Sequence, residues 1–156
     1  MSKALRTAWG HYPSGVTIVT ARDPAGQPVG LTVSSFVSVS IDPPLISWNL
    51  GKGSSQSGRL AGLDAFAVHV LHAGQRDLAM QFAASGTDRF SGIDLTPGLI
   101  NLPLLPDWHA LFQCRTHAVY EAGDHLLIVG EVLEFATREG RQPLVYYRGG
   151  FTGLAT

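Results

Sequence analysis

Residues 31–48, LTVSSFVSVSIDPPLISW, alternate for eleven residues before Pro43 and Pro44 stop the pattern. Leu31, Val33, Val37, Val39 and Ile41 share one face of an extended chain, with Ser35 its only polar member. Thr32, Ser34, Phe36, Ser38 and Ser40 share the other. Period-two alternation rich in β-branched residues reads as a strand with one buried face. The other face sets small hydroxyls around one phenyl ring. Alternation alone leaves it free to be solvated surface. Phe36, and the delivery of the chain into the Gly- and Ser-rich run that follows, speak instead for a face bordering a flat, hydrogen-bonding ligand.

The flanking segments extend the β pattern. Residues 15–21, GVTIVTA, form a strand, and the Pro- and Gly-bearing turn 22–28 joins it to the opening stretch as a hairpin. LISWNL (45–50) is a strand ended by Gly51-Lys52-Gly53, and Ser54 is placed to cap a helix to about Leu60. AFAVHVL (65–71) is a further strand, and 74–84 a helix with Leu78 and Phe82 on one face. Residues 86–107 are loop-rich. ALFQCRTHAVYEA (110–122) and HLLIVGEVLEFATR (125–138) flank Gly123-Asp124 as a hairpin, and PLVYYRGGF (143–151) is a last strand. At the start, Ser2 caps a short helix carrying Ala4, Leu5, Ala8 and Trp9 on one face. Six or seven strands joined mostly by short turns, with two or three short helices, specify a mainly β class: an antiparallel barrel or strongly bent sheet with helices outside. Strand and helix do not alternate, which disfavours a parallel doubly wound sheet.

The 156 residues are expected to form one domain. Charged residues are 15% of the chain against about 25% in average soluble proteins, so a buried subunit interface, and a homo-oligomer, fits the composition. A net charge of −1 without basic clusters argues against nucleic acid. No apolar run approaches the ~20 residues of a membrane span. The first residues lack a signal-peptide core, and the single Cys114 suits a reducing cytoplasm, the expected location.

Few motifs carry chemistry by themselves. His69 and His72 fall on opposite faces of a strand, and one Cys with six scattered His gives no metal pattern. There is no G-x-S-x-G elbow and no paired carboxylate. GKGSSQSGR (51–59) is neither a P-loop nor a dinucleotide fingerprint, yet it leads into a helix start with Ser54, Ser55, Ser57, Lys52 and Arg59. It reads as a candidate anion loop or, more plainly, as an ordinary helix cap. His125, after a Gly-Asp turn, is read from residue chemistry alone as a polar strand start.

Taken in order, HYPSGVTIVTA, GLTVSSFVSVSIDPPLISW, GSSQS, LAMQFAAS…DRF, GDHLLIVGEV and PLVYYRGGF resemble the motifs of the short-chain flavin reductases, the reductase components of two-component flavin-dependent monooxygenases. The resemblance runs from about Trp9 to Phe151. It implies an FMN-binding split β-barrel of antiparallel Greek-key type, a homodimer, and an isoalloxazine at the dimer interface. It places Thr32, Val33, Ser34 and Ser35 at the ring's polar edge, Ser47, Trp48 and Asn49 beside the ribityl chain, and Ser54, Ser55 and Ser57 at the phosphate. Arg89 and Phe90 fall near the flavin, His125 where the nicotinamide stacks, and Tyr146, Tyr147 and Arg148 in the closing segment. Tyr147 is taken as the ligand-facing tyrosine, since strand alternation lets at most one of the pair point inward. The implied activity is hydride transfer from NADH or NADPH to FMN or FAD, with reduced flavin passing to a partner monooxygenase. A flavoenzyme that keeps its flavin and acts on an organic substrate, and a non-catalytic flavin- or haem-binding module, are the competing readings. The segment LPDWHALFQC (105–114), bulky at Trp108, His109 and Phe112, departs from the family pattern where substrate-side shape is expected to be set.

Overall fold

The computed structural model describes residues 1–60 and 62–155. In chain order the elements are α1 (Ser2–Trp9), β1 (Ser14–Gly15), β2 (Thr17–Arg22), β3 (Pro28–Val33), β4 (Val37–Ile41), β5 (Pro44–Gly51), α2 (Ser57–Leu60), β6 (Ala65–Val70), α3 (Arg76–Ala83), β7 (Thr96–Pro97), β8 (Pro103–Leu104), β9 (Ala110–Ala122), β10 (His125–Thr137), β11 (Val145–Tyr147) and β12 (Gly150–Thr152). One antiparallel seven-stranded sheet runs β3-β2-β6-β9-β10-β5-β4, a small sheet runs β1-β11-β12, and β7 pairs with β8.

The opening stretch is two strands, not one. β3 ends at Val33 and β4 starts at Val37. These are the two edges of the seven-stranded sheet, so residues 34–36 carry the chain from one edge to the other. Three residues span only about 10 Å, so the edges lie side by side and the sheet curls into a barrel split along that seam. Side chains stitch the crossing: Thr17 Oγ1 donates to the Val33 carbonyl (3.0 Å), and the Asn49 N–H donates to Ser35 Oγ (2.9 Å). Phe36 does not stay wet. It is half-buried, stacked on Phe112 of β9 with centroids 5.5 Å apart.

The barrel interior holds Val19, Leu31, Val33, Ile46, Trp48, Leu50, Phe66, Val68, Cys114 and Ile128. A second cluster, with Ile18, Leu71, Ala79, Phe82 and Leu105, seats α3 on the outside. Residues 17–21 of β2 are therefore buried on both faces, which is why that strand reads as a continuous apolar run. β9 and β10, thirteen residues each, are bent by register shifts at Val129/Gly130 and Val132/Glu134, which let one long hairpin wrap the barrel. Gly130 is required there: a Cβ would collide with the Phe66 ring.

Three further expectations change. The last strand breaks at Arg148-Gly149 into β11 and β12. The helix expected from Ser54 is the single turn α2, because Ser54 and Ser55 sit in turns. Ser2 is the first helical residue of α1 rather than its cap. Trp108 and Phe112 stand at the opposite end of the β9–β10 hairpin from His125, since Ala110 pairs with Thr137 and Ala122 with His125. Within this protomer their bulk is structural: Trp108 lies under Arg138 (4.0 Å) and Phe112 under Phe36.

Candidate functional site

His125 begins β10 opposite Gly51 of β5 and Ala122 of β9. Gly51 has no side chain, so the imidazole lies across it; a Cβ there would be 3.6 Å from Nε2. Nδ1 donates to the Asp124 carboxylate (2.7 Å), which fixes the ring and leaves Nε2 outward. The hydrogen bond from His125, with its charge, holds the Asp124 carboxyl below the usual range. The Lys52 N–H donates to the Asp124 carbonyl (2.9 Å), so the Ser-rich loop starts against the turn that carries His125.

A groove of about 630 Å³ runs past this histidine. Asn49, His125 and Leu127 form one wall, and Leu5, Arg6 and Trp9 of α1 the other. It continues, through Arg6 and Trp9, into a second groove of about 510 Å³ that reaches Ser34 and Tyr146. That one continues, through Ser34 and Tyr146, into a third of about 360 Å³ floored by Val16 and Thr32. The result is one trough along the barrel's seam, walled by aromatic and aliphatic side chains with a few polar groups. Such a lining suits a flat heterocycle. Thr32 Oγ1 is engaged with the Ala79 carbonyl (2.6 Å), whereas among the described residues Ser34 makes no side-chain hydrogen bond and is free for a ligand.

Of the residues expected at a flavin, the structure brings Thr32, Ser34, Asn49 and His125 to this trough. Ser35 is at the seam, with its oxygen given to Asn49. Val33, Ser47 and Trp48 are buried, and the Trp48 indole packs edge-on to Phe66, so only their backbone faces outward chemistry. Ser54, Ser55 and Ser57 lie beyond Gly51, outside the trough. The Ser57 hydroxyl donates to the Lys52 and Ser54 carbonyls, Ser54 Oγ accepts from the Gln56 N–H, and Arg59 is paired with Asp23. Ser55 is exposed. Arg89 is buried, donating to the Ala84 and Gly30 carbonyls; burial lowers its pKa, and its bonds are structural. Phe90 packs edge-on to Phe82. Tyr146, not Tyr147, lines the trough, and Tyr147 points the other way, beneath Arg148. Leu5, Arg6 and Trp9 escape the sequence reading; their signal was the amphipathic pattern of α1, taken there only for packing.

Burial pushes the Cys114 thiol up to about 12, which removes it as a nucleophile. His69 is fully buried, donating from Nδ1 to the Ile18 carbonyl and accepting the Leu105 N–H at Nε2. Among the described residues no His, Cys, Asp or Glu group is arranged to hold a metal ion.

The geometry defines a class of split-barrel protein with a polar-edged trough along its seam, a shape that suits a flat heterocycle. The comparisons give that class its family: residues 9–155 match the flavin reductase like domain, and the chain belongs to that family. It is 40% identical over 149 residues to the stachydrine N-demethylase reductase subunit Stc3 of Rhizobium meliloti, and the alignment covers 96% of this chain and 64% of Stc3. It is 43% identical over 150 residues to the FMN reductase (NADH) SmoA of Agrobacterium fabrum, over 96% of this chain and 84% of SmoA. Among solved structures, the NADH:FAD oxidoreductase SgcE6 of Streptomyces globisporus, in complex with NAD and FAD fragments, superposes with a TM-score of 0.91 at 37% identity, over 99% of this chain and 93% of SgcE6. The chain spans less than two thirds of Stc3 and 48% of a second R. meliloti relative.

Proposed function

We propose that this chain is an NAD(P)H-dependent flavin reductase: it takes a hydride from a nicotinamide dinucleotide to FMN or FAD and releases reduced flavin to a separate flavin-dependent monooxygenase. The observation that carries the reading is the series of adjoining grooves from Thr32 to His125, each sharing lining residues with the next, in a chain matching the flavin reductase like domain over residues 9–155. Stc3, a reductase subunit by name, supports the partner oxygenase. Bound flavin supplies the hydride-accepting ring, so no side chain need act as nucleophile. The chain's task is to stack two flat rings in register. Thr32, Ser34 and Ser35, with the backbone of Val33, present polar groups to the flavin edge. Ser47, Trp48 and Asn49 lie along the ribityl chain, the last by its amide. Ser54, Ser55 and Ser57 are assigned to the phosphate, with Ser55 the exposed member, Arg89 and Phe90 support the site from behind, and Tyr146 takes the place of Tyr147 as the closing ring. His125, fixed by Asp124, orients the nicotinamide.

Residues 1–156 act as one flavin reductase-like domain in a cytoplasmic homodimer, a reading consistent with the lone buried Cys114 and the exposed apolar strand β4. No helix among the described residues is long and apolar enough to cross a membrane. The test is anaerobic reduction of added FMN and FAD by NADH and by NADPH, followed at the flavin absorbance band. Bleaching of the band is expected; a folded protein that bleaches neither flavin with either donor ends the proposal.

A further inference from the structure

A fourth groove of about 380 Å³ lies between α1 and the β11–β12 turn, sharing Arg6, Gly10, Arg148 and Gly149 with the groove that reaches Ser34. Lys3, Arg6 and Thr7 line one side, Arg148 and Gly149 the other. Three cations therefore border it, and among the described residues no carboxylate does, in a chain whose net charge is −1. Among the described residues neither Lys3 nor Arg6 forms an ion pair, and the carboxylate that feels Arg6 is Asp124, in the neighbouring groove. Arg148 is held in place without being neutralised. Its N–H donates to the Gly10 carbonyl (2.9 Å) and its Nη2 to His11 Nε2 (2.9 Å). The His11 ring gives its own Nδ1 proton to the Thr7 carbonyl (3.0 Å) and so meets Arg148 as a neutral acceptor.

The backbone adds a second observation. Arg148 sits at φ +51, followed by Gly149 at φ +79, a two-residue hairpin turn that favours Asn-Gly. A long side chain is disfavoured there, yet the residue supplies the guanidinium that completes the ring of cations. Gly10 permits the approach: a Cβ on it would stand 3.3 Å from the Arg148 Cα.

This groove adjoins the one beside His125, with Ser2 and Arg6 lining both. A nicotinamide dinucleotide carries its diphosphate one ribose away from the reacting ring, and a guanidinium cluster is the group that recognises phosphate oxygens in pairs. Resting on the reductase reading, we infer that the Lys3–Arg6–Arg148 groove is a diphosphate subsite, holding the bridge of the nicotinamide dinucleotide while its ring lies beside His125.

The test uses riboflavin as acceptor, so that the only phosphates are the donor's. Arg6→Ala is expected to raise KM for NADH about tenfold with kcat changed less than about twofold. Lys3→Ala, whose side chain lines this groove and not the trough, should handle reduced nicotinamide riboside, which has no phosphate, like the wild type. Lys3→Ala should shift KM for NADH in the same direction by less. Inorganic diphosphate should compete with NADH in the wild type, a measurement that needs no variant. A rise confined to FAD as acceptor would move the subsite to the flavin's diphosphate and overturn the nicotinamide assignment. Unchanged KM for NADH in an active Arg6→Ala enzyme, or an equal loss with the riboside in Lys3→Ala, overturns the subsite itself. An inactive wild type overturns the reductase reading instead.

Discussion

Single residues in this chain divide by whether they face the trough or the core, and two histidines show how far that goes. His125 is tethered by Asp124 and seated over bare Gly51, so its ring is positioned rather than reactive. His125→Ala is expected to slow flavin reduction by roughly 10- to 100-fold through lost alignment, with flavin affinity nearly unchanged; stopped-flow reduction and fluorescence titration separate the two. His69 has no part in catalysis and a large part in stability. Burial pushes its pKa down from 6.5 to about 4. The unfolded chain therefore takes the proton first as pH falls. The contribution is fully present above pH 6.5 and is lost progressively down to about pH 4, about 3 kcal/mol in all. Urea unfolding across that window should show the loss, and His69→Gln should flatten the curve while lowering its plateau. Neither role could be read from spacing. On the sequence His69 was one of two histidines failing a metal test, and only the fold shows that Ile18 and Leu105 meet both of its nitrogens.

Among the elements, the β9–β10 hairpin was legible from its two alternating runs around Gly123-Asp124, because a two-residue turn leaves a local mark. The break in 31–41 was not. The crossing at residues 34–36 preserves the period of two, so the apolar face runs on past the point where the chain changes edges. The burial it implies holds only for Leu31 and Val33. The same blindness applied to residues 143–151, where the turn at Arg148 carries an Arg in place of the expected small residue. The Gly- and Ser-rich run 51–59 was legible as a candidate anion loop, but its composition does not show that Ser54 and Ser57 spend their hydroxyls on local turns, bonding to groups two to five residues away. The bend in the long hairpin is the most testable of these features. Gly130 marks a register shift and leaves room for the Phe66 ring. Gly130→Ala is expected to cost about 1–3 kcal/mol, since the ring must move within a filled barrel. Thermal unfolding checks this, and a variant as stable as the wild type would mean that the ring swings aside freely.

At the scale of the whole molecule, the unexplained half of the opening stretch becomes informative. β4 pairs with β5 on one side only, and Val37, Val39 and Ile41 are 53%, 52% and 92% exposed. The outer half of β10 continues past the start of β5 at the same end of the sheet and carries Phe135, 70% exposed. An edge strand with an apolar face is a surface that proteins normally blunt with charge or proline, or cover. The low charge content of the chain points the same way, and a second copy meeting this face about a two-fold axis would cover it in both protomers at once. Such a dimer would also wall the trough from outside, because its seam lies between β3 and β4. A charge placed there has little to disturb in the protomer, where the side chain already meets water. In the interface it would be buried without a partner, at a cost of several kcal/mol. Ile41→Glu is therefore expected to fold normally by circular dichroism, to weaken the dimer at least about 100-fold in sedimentation equilibrium, and to lose flavin affinity in proportion to the dimer lost. Wild-type protein sedimenting at 16.7 kDa at micromolar concentration would show that a second copy does not cover β4.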